Sequence, residues 1–165
     1  MKIEAMLKRS VYHHRNKELH SRIKYLPALR LKNAYVQLDI VLAKLASKMG
    51  WFSIGASVNK KGLQKPLLLI YLQGIDYYLL LANLKNWNQA VLVSAPETKK
   101  LQACKPSKDL SQLYLAIKNM LYNSYFNHRQ SDFMYSWKLY LKLGFSDLGL
   151  APQKIEIAFV NRYHF

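Results

Sequence analysis

Cysteine is nearly missing from this chain: Cys104 is the only one in 165 residues. That excludes an intramolecular disulfide and a cysteine-built zinc site, and it fits a reducing compartment. Cys104 itself reads as a small buried apolar residue. Glycine (6) and proline (5) are sparse, and none of the signatures GxxxxGK(S/T), GxGxxG, HExxH or GxSxG occurs. Nothing places a serine or Cys104 beside an identifiable base and orienting group, so the sequence offers no independent catalytic constellation. The longest apolar run, residues 67–82, is broken by Gln73, Gly74 and Asp76 and falls short of the roughly 20 clean residues of a membrane span. It reads as a buried core helix. The N-terminal residues lack the apolar core of a secretory signal, so the expected location is the cytoplasm, with no membrane partner.

Acids are scarce too. Nine Asp and Glu stand against 25 Lys and Arg, a net charge of +16. The excess is spread along the chain: residues 1–32 carry nine basic and two acidic residues, 33–104 eight and three, and 105–165 eight and four. Such a field favours polyanionic partners, nucleic acid or nucleotides among them, because it attracts them at long range and releases counterions on binding. The plain alternative is a set of solvated lysines that bind nothing in particular.

What is abundant is apolar and aromatic material, 51% and 13% of the chain with 12 tyrosines. A chain of this length makes one domain and buries about two thirds of its unfolded surface. Residues 1–29 read as a basic, loosely attached and partly disordered lead-in, with a helix over residues 16–25 that stops before Pro27. His13, His14 and His20 there read as solvated rather than as metal ligands. Residues 30–165 read as a single helical domain. The spacing Leu31, Ala34/Tyr35, Leu38, Leu42, Leu45, Met49 predicts a helix ending near Gly50. A basic linker over residues 53–64, centred on Lys60, Lys61 and Gly62, leads to a second long helix from Pro66 to about Lys85. Residues 86–106 carry weak signals: Val91, Leu92 and Val93 suggest a short strand, and Pro96, Lys99 and Lys100 a loop. Ser107 and Ser131 are expected to cap two further helices, and Pro152 to open a last one with Ile155, Ala158 and Phe159 inward. The expectation is an all-α, compact bundle of five or six helices.

Two segments carry a family likeness. IVLAKLASKMGWFS (residues 40–53), the basic linker and LLLIYLQGIDYYLLLAN (residues 67–83), followed later by KLYLKLGFSDLGLAPQKIEIAF (residues 138–159), together resemble the dimeric, all-α dUTPases of the helical NTP pyrophosphohydrolase superfamily. Leu67, Leu68, Tyr71, Gly74 and Leu79 match the second helix without a gap. The resemblance implies a dUTPase-like helical fold and a homodimer. It also implies paired acidic motifs of the ExxE and ExxD kind, one on each long helix, holding Mg²⁺ against substrate phosphates. Those positions fall on Val41, Lys44, Ile70 and Gln73, with a further acid position on Lys48, and none is acidic. Asp76 is the one acid nearby, and shifting the register recruits only Asp39. The Asn-rich C-terminal motif that ends in Arg-Gln is absent as well.

Lys44 and Lys48 instead put two ammonium groups one turn apart where metal would have stood, a place for phosphate to dock without activated water. Together with Lys60 and Lys61 they are the candidate phosphate-binding residues; no catalytic residue, no metal and no cofactor is expected. The reading is therefore a pseudoenzyme-like nucleotide, phosphate or partner-binding module. Two alternatives stand beside it. One is an active dUTP or NTP diphosphatase with displaced ligands, which would need Mg²⁺. The other is a basic nucleic-acid-binding helical protein, in which Tyr122, Tyr125, Phe126, His128 and Arg129 near Lys118 form a platform for stacked bases and tracked phosphates.

Overall fold

The structure is a computed structural model that describes residues 1–21, 26–52 and 64–163. Every regular element among them is helical: α1 (Ile3–His20), α2 (Pro27–Met49), α3 (Gln64–Leu84), a 3₁₀ turn (Asn88–Val91), α4 (Ala95–Ala103), α5 (Leu110–Phe126), α6 (Gln130–Lys142), a π-helical turn (Leu143–Asp147) and α7 (Pro152–Arg162). Seven α-helices thus replace the five or six expected, and α1 and α4 supply the difference.

The apolar run forms the hub. Lys65–Leu84 has the length and hydropathy of a membrane span, yet 67% of that window is buried inside the bundle. α1, α2, α7 and the 3₁₀ turn all pack on α3, while α5 and α6 pair with each other across the short turn at Asn127, His128 and Arg129. A helix apolar nearly all round is stable only in that central position. Each large side chain it buries fully, such as Leu72, Ile75 or Leu79, contributes about 1.5–3 kcal/mol.

α2 ends as its sequence predicts: Gly50 adopts the left-handed conformation (φ 65°) and its N–H closes on the Ala46 carbonyl. Four other expectations are corrected. Residues 86–106 hold no strand; Val91 ends a 3₁₀ turn and Pro96, Lys99 and Lys100 lie in α4. There Ser94 accepts from the Glu97 N–H while Glu97 reaches back to the Ser94 N–H, a reciprocal cap that outweighs the loop-like composition. Ser107 does not cap α5. Asp109 does, accepting from Gln112 N–H at 2.9 Å, while the Ser107 N–H donates to Asp147 at 2.5 Å and Lys142 donates to its hydroxyl at 2.5 Å. Ser131 lies inside α6, whose cap position is Arg129. Cys104 is partly exposed, its thiol turned back on the Lys100 carbonyl.

The N-terminal segment departs furthest from expectation. α1 begins at Ile3 rather than near residue 16, and Ile3, Met6, Leu7 and Ser10 are buried at three- and four-residue steps. That stripe lies among charged residues, so the composition of residues 1–29 conceals a packed helix.

Candidate functional site

All nine acids of the chain fall within the described residues, and each is engaged. Seven are ion-paired: Glu4 with Lys8, Glu18 with Arg30, Asp39 with Lys118, Glu97 with Lys138, Asp132 with Arg129, Asp147 with Lys142 and Glu156 with the N-terminus; an eighth, Asp76, bonds Ser10 and His14. The ninth, Asp109, caps α5. Among the described residues no group of three His, Cys, Asp or Glu side chains is placed to hold a metal ion. A hard cation needs several unpaired oxygens, and each carboxylate here already faces a cation, a helix end or, for Asp76, the Ser10 hydroxyl and the His14 ring.

The residues singled out from the sequence divide as follows. Val41 is buried, Ile70 and Gln73 are half-buried, and Lys44 and Lys48 are exposed on one flank of α2. Lys60 and Lys61 lie outside the described residues. His14 corrects the solvated reading: its Nε2 lies 2.8 Å from an Asp76 oxygen and its side chain is only 14% exposed. Ser10 donates to the other Asp76 oxygen at 2.5 Å. Although Ser, His and Asp meet here, the carboxylate sits between the other two, so the imidazole cannot take a proton from the hydroxyl as a triad requires. The cluster is a clamp that ties α1 to α3. Around it, His13 packs edge-on against Tyr163 at 5.0 Å, and Arg9 donates to the Tyr163 carbonyl. Burial and the Asp76 carboxylate push the Tyr163 phenol well above its ordinary range.

The more open chemistry lies between α2 and α5. Lys32, Tyr35, Val36 and Asp39 on one flank of α2 face Tyr122, Tyr125 and Phe126 of α5 across a cleft of about 260 Å³. Tyr35 is fixed at its floor by a 3.0 Å bond to Ser124 and lies 5.0 Å from the Tyr125 ring. Asp39 holds the cleft wall together: Lys118 approaches it at 2.6 Å and the Tyr122 hydroxyl donates to it at 2.5 Å. The Lys118 ammonium also sits 5.0 Å from the Tyr114 ring centre and 5.9 Å from that of Tyr122. Burial alone would lower its pKa, but the bonds to Asp39 and Tyr114 outweigh burial and raise it, so the lysine stays charged at neutral pH. Burial and Asp39 raise the Tyr122 phenol, which keeps it a donor. No protein-family model, curated protein or solved structure matches this chain. What the cleft can do must therefore be read from its own chemistry.

Two aromatic faces are presented outward there, Tyr122 at 40% and Phe126 at 72% exposure. Aromatics at helical spacing more often belong to a core, and the sequence could not separate the two cases. Trp51 extends the line, 6.4 Å from Tyr114. The sequence reading missed the contribution of α2; the spacing Lys32, Tyr35, Asp39 is its signal, one flank at steps of three and four. His128 and Arg129, named with the platform, occupy the turn after α5, where Lys85 reaches His128 at 3.3 Å. At 3.6 residues per turn, Lys44 and Lys48 lie about 140° and about 180° around α2 from Asp39, so the structure does not bring them to this cleft.

Proposed function

We propose that this protein binds nucleotides or single-stranded nucleic acid along the α2–α5 seam, with bases stacked on Tyr122 and Phe126 and phosphates drawn to Lys32 and the surrounding positive field, and with no metal-dependent turnover. The observation that carries the reading is the pair of outward aromatic faces beside the exposed Lys32 in a chain of net charge +16. Stacking is tolerant of sequence and contributes about 1–3 kcal/mol per base. The test is titration of labelled oligothymidylate and of dUTP, each with Mg²⁺ and with a chelator. Tyr122→Ala and Phe126→Ala are each expected to weaken oligonucleotide binding by about 1–3 kcal/mol, while the chelator leaves it unchanged. Unaltered binding in both variants would refute the seam.

The second reading is the family one: a divergent dUTPase relative whose altered metal positions receive phosphate at Lys44 and Lys48. It is favoured by the exposure of both lysines one turn apart. It draws further support from the meeting of the two segments that carry the resemblance, where Tyr71 beside Gly74 interlocks with Tyr140 beside Gly144. The homodimer that this reading implies finds an exposed apolar stripe on α2 in Leu29, Val36 and Ile40. Chelator-sensitive hydrolysis of dUTP would make the chain an enzyme. Chelator-insensitive dUTP binding lost on Lys44→Glu and Lys48→Glu, and kept in Tyr122→Ala, would place the phosphates on that flank instead.

A further inference from the structure

A second groove shares no residue with the seam. It runs along α1, and its volume is about 570 Å³ where α1 passes the junction of α3 with the 3₁₀ turn. Leu7, Val11 and Leu92 line it with apolar surface, and Lys8 and Arg15 stand at its edge. A depression of about 470 Å³ over the first turn of α1 shares Glu4, Lys8 and Leu92 with it, so the two form one elongated channel. From Ile3 to Arg15 the helix rises about 18 Å, the length of roughly five extended residues.

The wall opposite α1 is built of carboxamides: Asn83, Asn88 and Gln89. The Asn88 Oδ1 is buried and has no hydrogen-bond partner among the described residues. A buried acceptor left unpaired costs about 1–3 kcal/mol, and turning the Asn88 carboxamide into the channel lets an incoming N–H remove that cost. Carboxamides offer a donor and an acceptor side by side, the pair that a peptide backbone also presents. The edge carries Glu4, Lys8 and Arg15 and is net positive: Lys8 and Glu4 pair at 2.9 Å on the surface, while Arg15 has no acidic partner among the described residues.

We propose that this channel docks an extended acidic peptide of a partner protein, its backbone held by the carboxamide wall, alternate apolar side chains on Leu7, Val11 and Leu92, and carboxylates at Arg15 and Lys8. An extended chain turns successive side chains to opposite faces, which suits a groove apolar at its base and basic at its rim. Charge complementarity selects an acidic segment, and the polar lining, with Tyr12 as its single aromatic residue, distinguishes the channel from the base-stacking seam. The proposal does not depend on the seam.

The experiment uses the full chain and a fluorescein-labelled peptide of alternating glutamate and valine, read by anisotropy, with its glutamine–valine counterpart and oligothymidylate as competitors. The acidic peptide is expected to bind, and both the glutamine version and the Arg15→Glu variant to lose at least about tenfold in affinity. Asn88→Leu is the decisive variant. Because it removes an unpaired polar atom, it is expected to leave the melting temperature unchanged or raised while weakening the peptide by several-fold. Tyr122→Ala is expected to bind the peptide as the natural chain does. The proposal fails if the acidic peptide does not bind or if the glutamine peptide binds equally well. It also fails if Asn88→Leu spares binding, whatever its melting temperature. If oligothymidylate displaces the peptide in the Tyr122→Ala variant, the channel is a nucleic-acid surface and the peptide reading is overturned.

Discussion

Tyr71 and Tyr140 stack with their ring centres 4.7 Å apart, and each hydroxyl donates to the carbonyl of the other residue, at 3.2 and 2.9 Å. This exchange requires two glycines. A Cβ on Gly74 would collide with the Tyr140 hydroxyl, and one on Gly144 with that of Tyr71. Both rings are fully buried and their phenols are pushed well above the ordinary range, first by burial and then by neighbouring tyrosines, so both remain donors at any ordinary pH. Gly74→Ala and Gly144→Ala are each expected to destabilise the fold by about 1–3 kcal/mol or more through overpacking, read as a lower urea midpoint with an unchanged slope. His13 gives a second prediction at this scale. Burial lowers its pKa from 6.5, His14, Lys17 and Arg162 lower it further, and Asp76 opposes them. The folded state thus prefers the neutral ring, so its contribution to stability is complete above 6.5 and is lost as the pH falls from there through the folded value. The melting temperature of the natural chain is expected to drop more than that of His13→Gln between about pH 7.5 and about pH 5.5. An equal drop in both would show that other groups set the acid limb.

At the scale of elements, α1 is held by a few specific attachments. Ser10 and His14 meet the buried Asp76, Arg9 reaches Tyr163, and Glu18 pairs with Arg30 at 2.5 Å. Asp76→Ala would leave the His14 ring without its partner, at about 1–3 kcal/mol, while the Ser10 hydroxyl keeps the backbone carbonyl of residue 76 at 3.3 Å. Its signature is expected to be local: faster amide exchange in α1, with α5 and α6 keeping their protection. Uniform acceleration across all helices would mean that α1 and the rest unfold as one unit. The legibility of the elements follows the same physics. α2 was readable because its apolar residues recur at the helical period over more than five turns, and α3 because its apolar run is too long for a strand. α1 was not, because its buried face, Ile3, Met6, Leu7 and Ser10, is narrow and embedded in charge. α4 was not, because nine residues with three charged side chains carry too little periodicity to outvote Pro96, and only the Ser94 and Glu97 cap reveals the helix.

At the scale of the whole molecule, the acids are consumed internally and the positive excess is left to solvent. With every carboxylate paired or capping, a net charge of +16 acts as a field rather than as a set of bridges. Oligothymidylate affinity is therefore expected to fall linearly with the logarithm of salt concentration, by about 0.7 in slope for each phosphate neutralised. Lys32→Gln is expected to reduce that slope, whereas Phe126→Ala lowers affinity at every salt concentration and leaves the slope in place. A slope that does not respond to Lys32 would move the phosphates away from the seam.

The sequence by itself determined that the chain is helical, that residues 67–82 form its centre, and that its field is positive. Composition and periodicity are local properties, and each of these conclusions needs nothing else. Which aromatics face outward was decided only by tertiary structure. Tyr125 and Phe126 are neighbours on one helix, yet one packs on Tyr35 and the other is 72% exposed, a difference set by where α2 lies against α5. The same holds for Asp76, which reads as a stray acid in an apolar helix until α1 folds back to bring Ser10 and His14 onto it. Contacts across 60 residues or more are fixed by how whole helices pack, and no spacing within one helix encodes them.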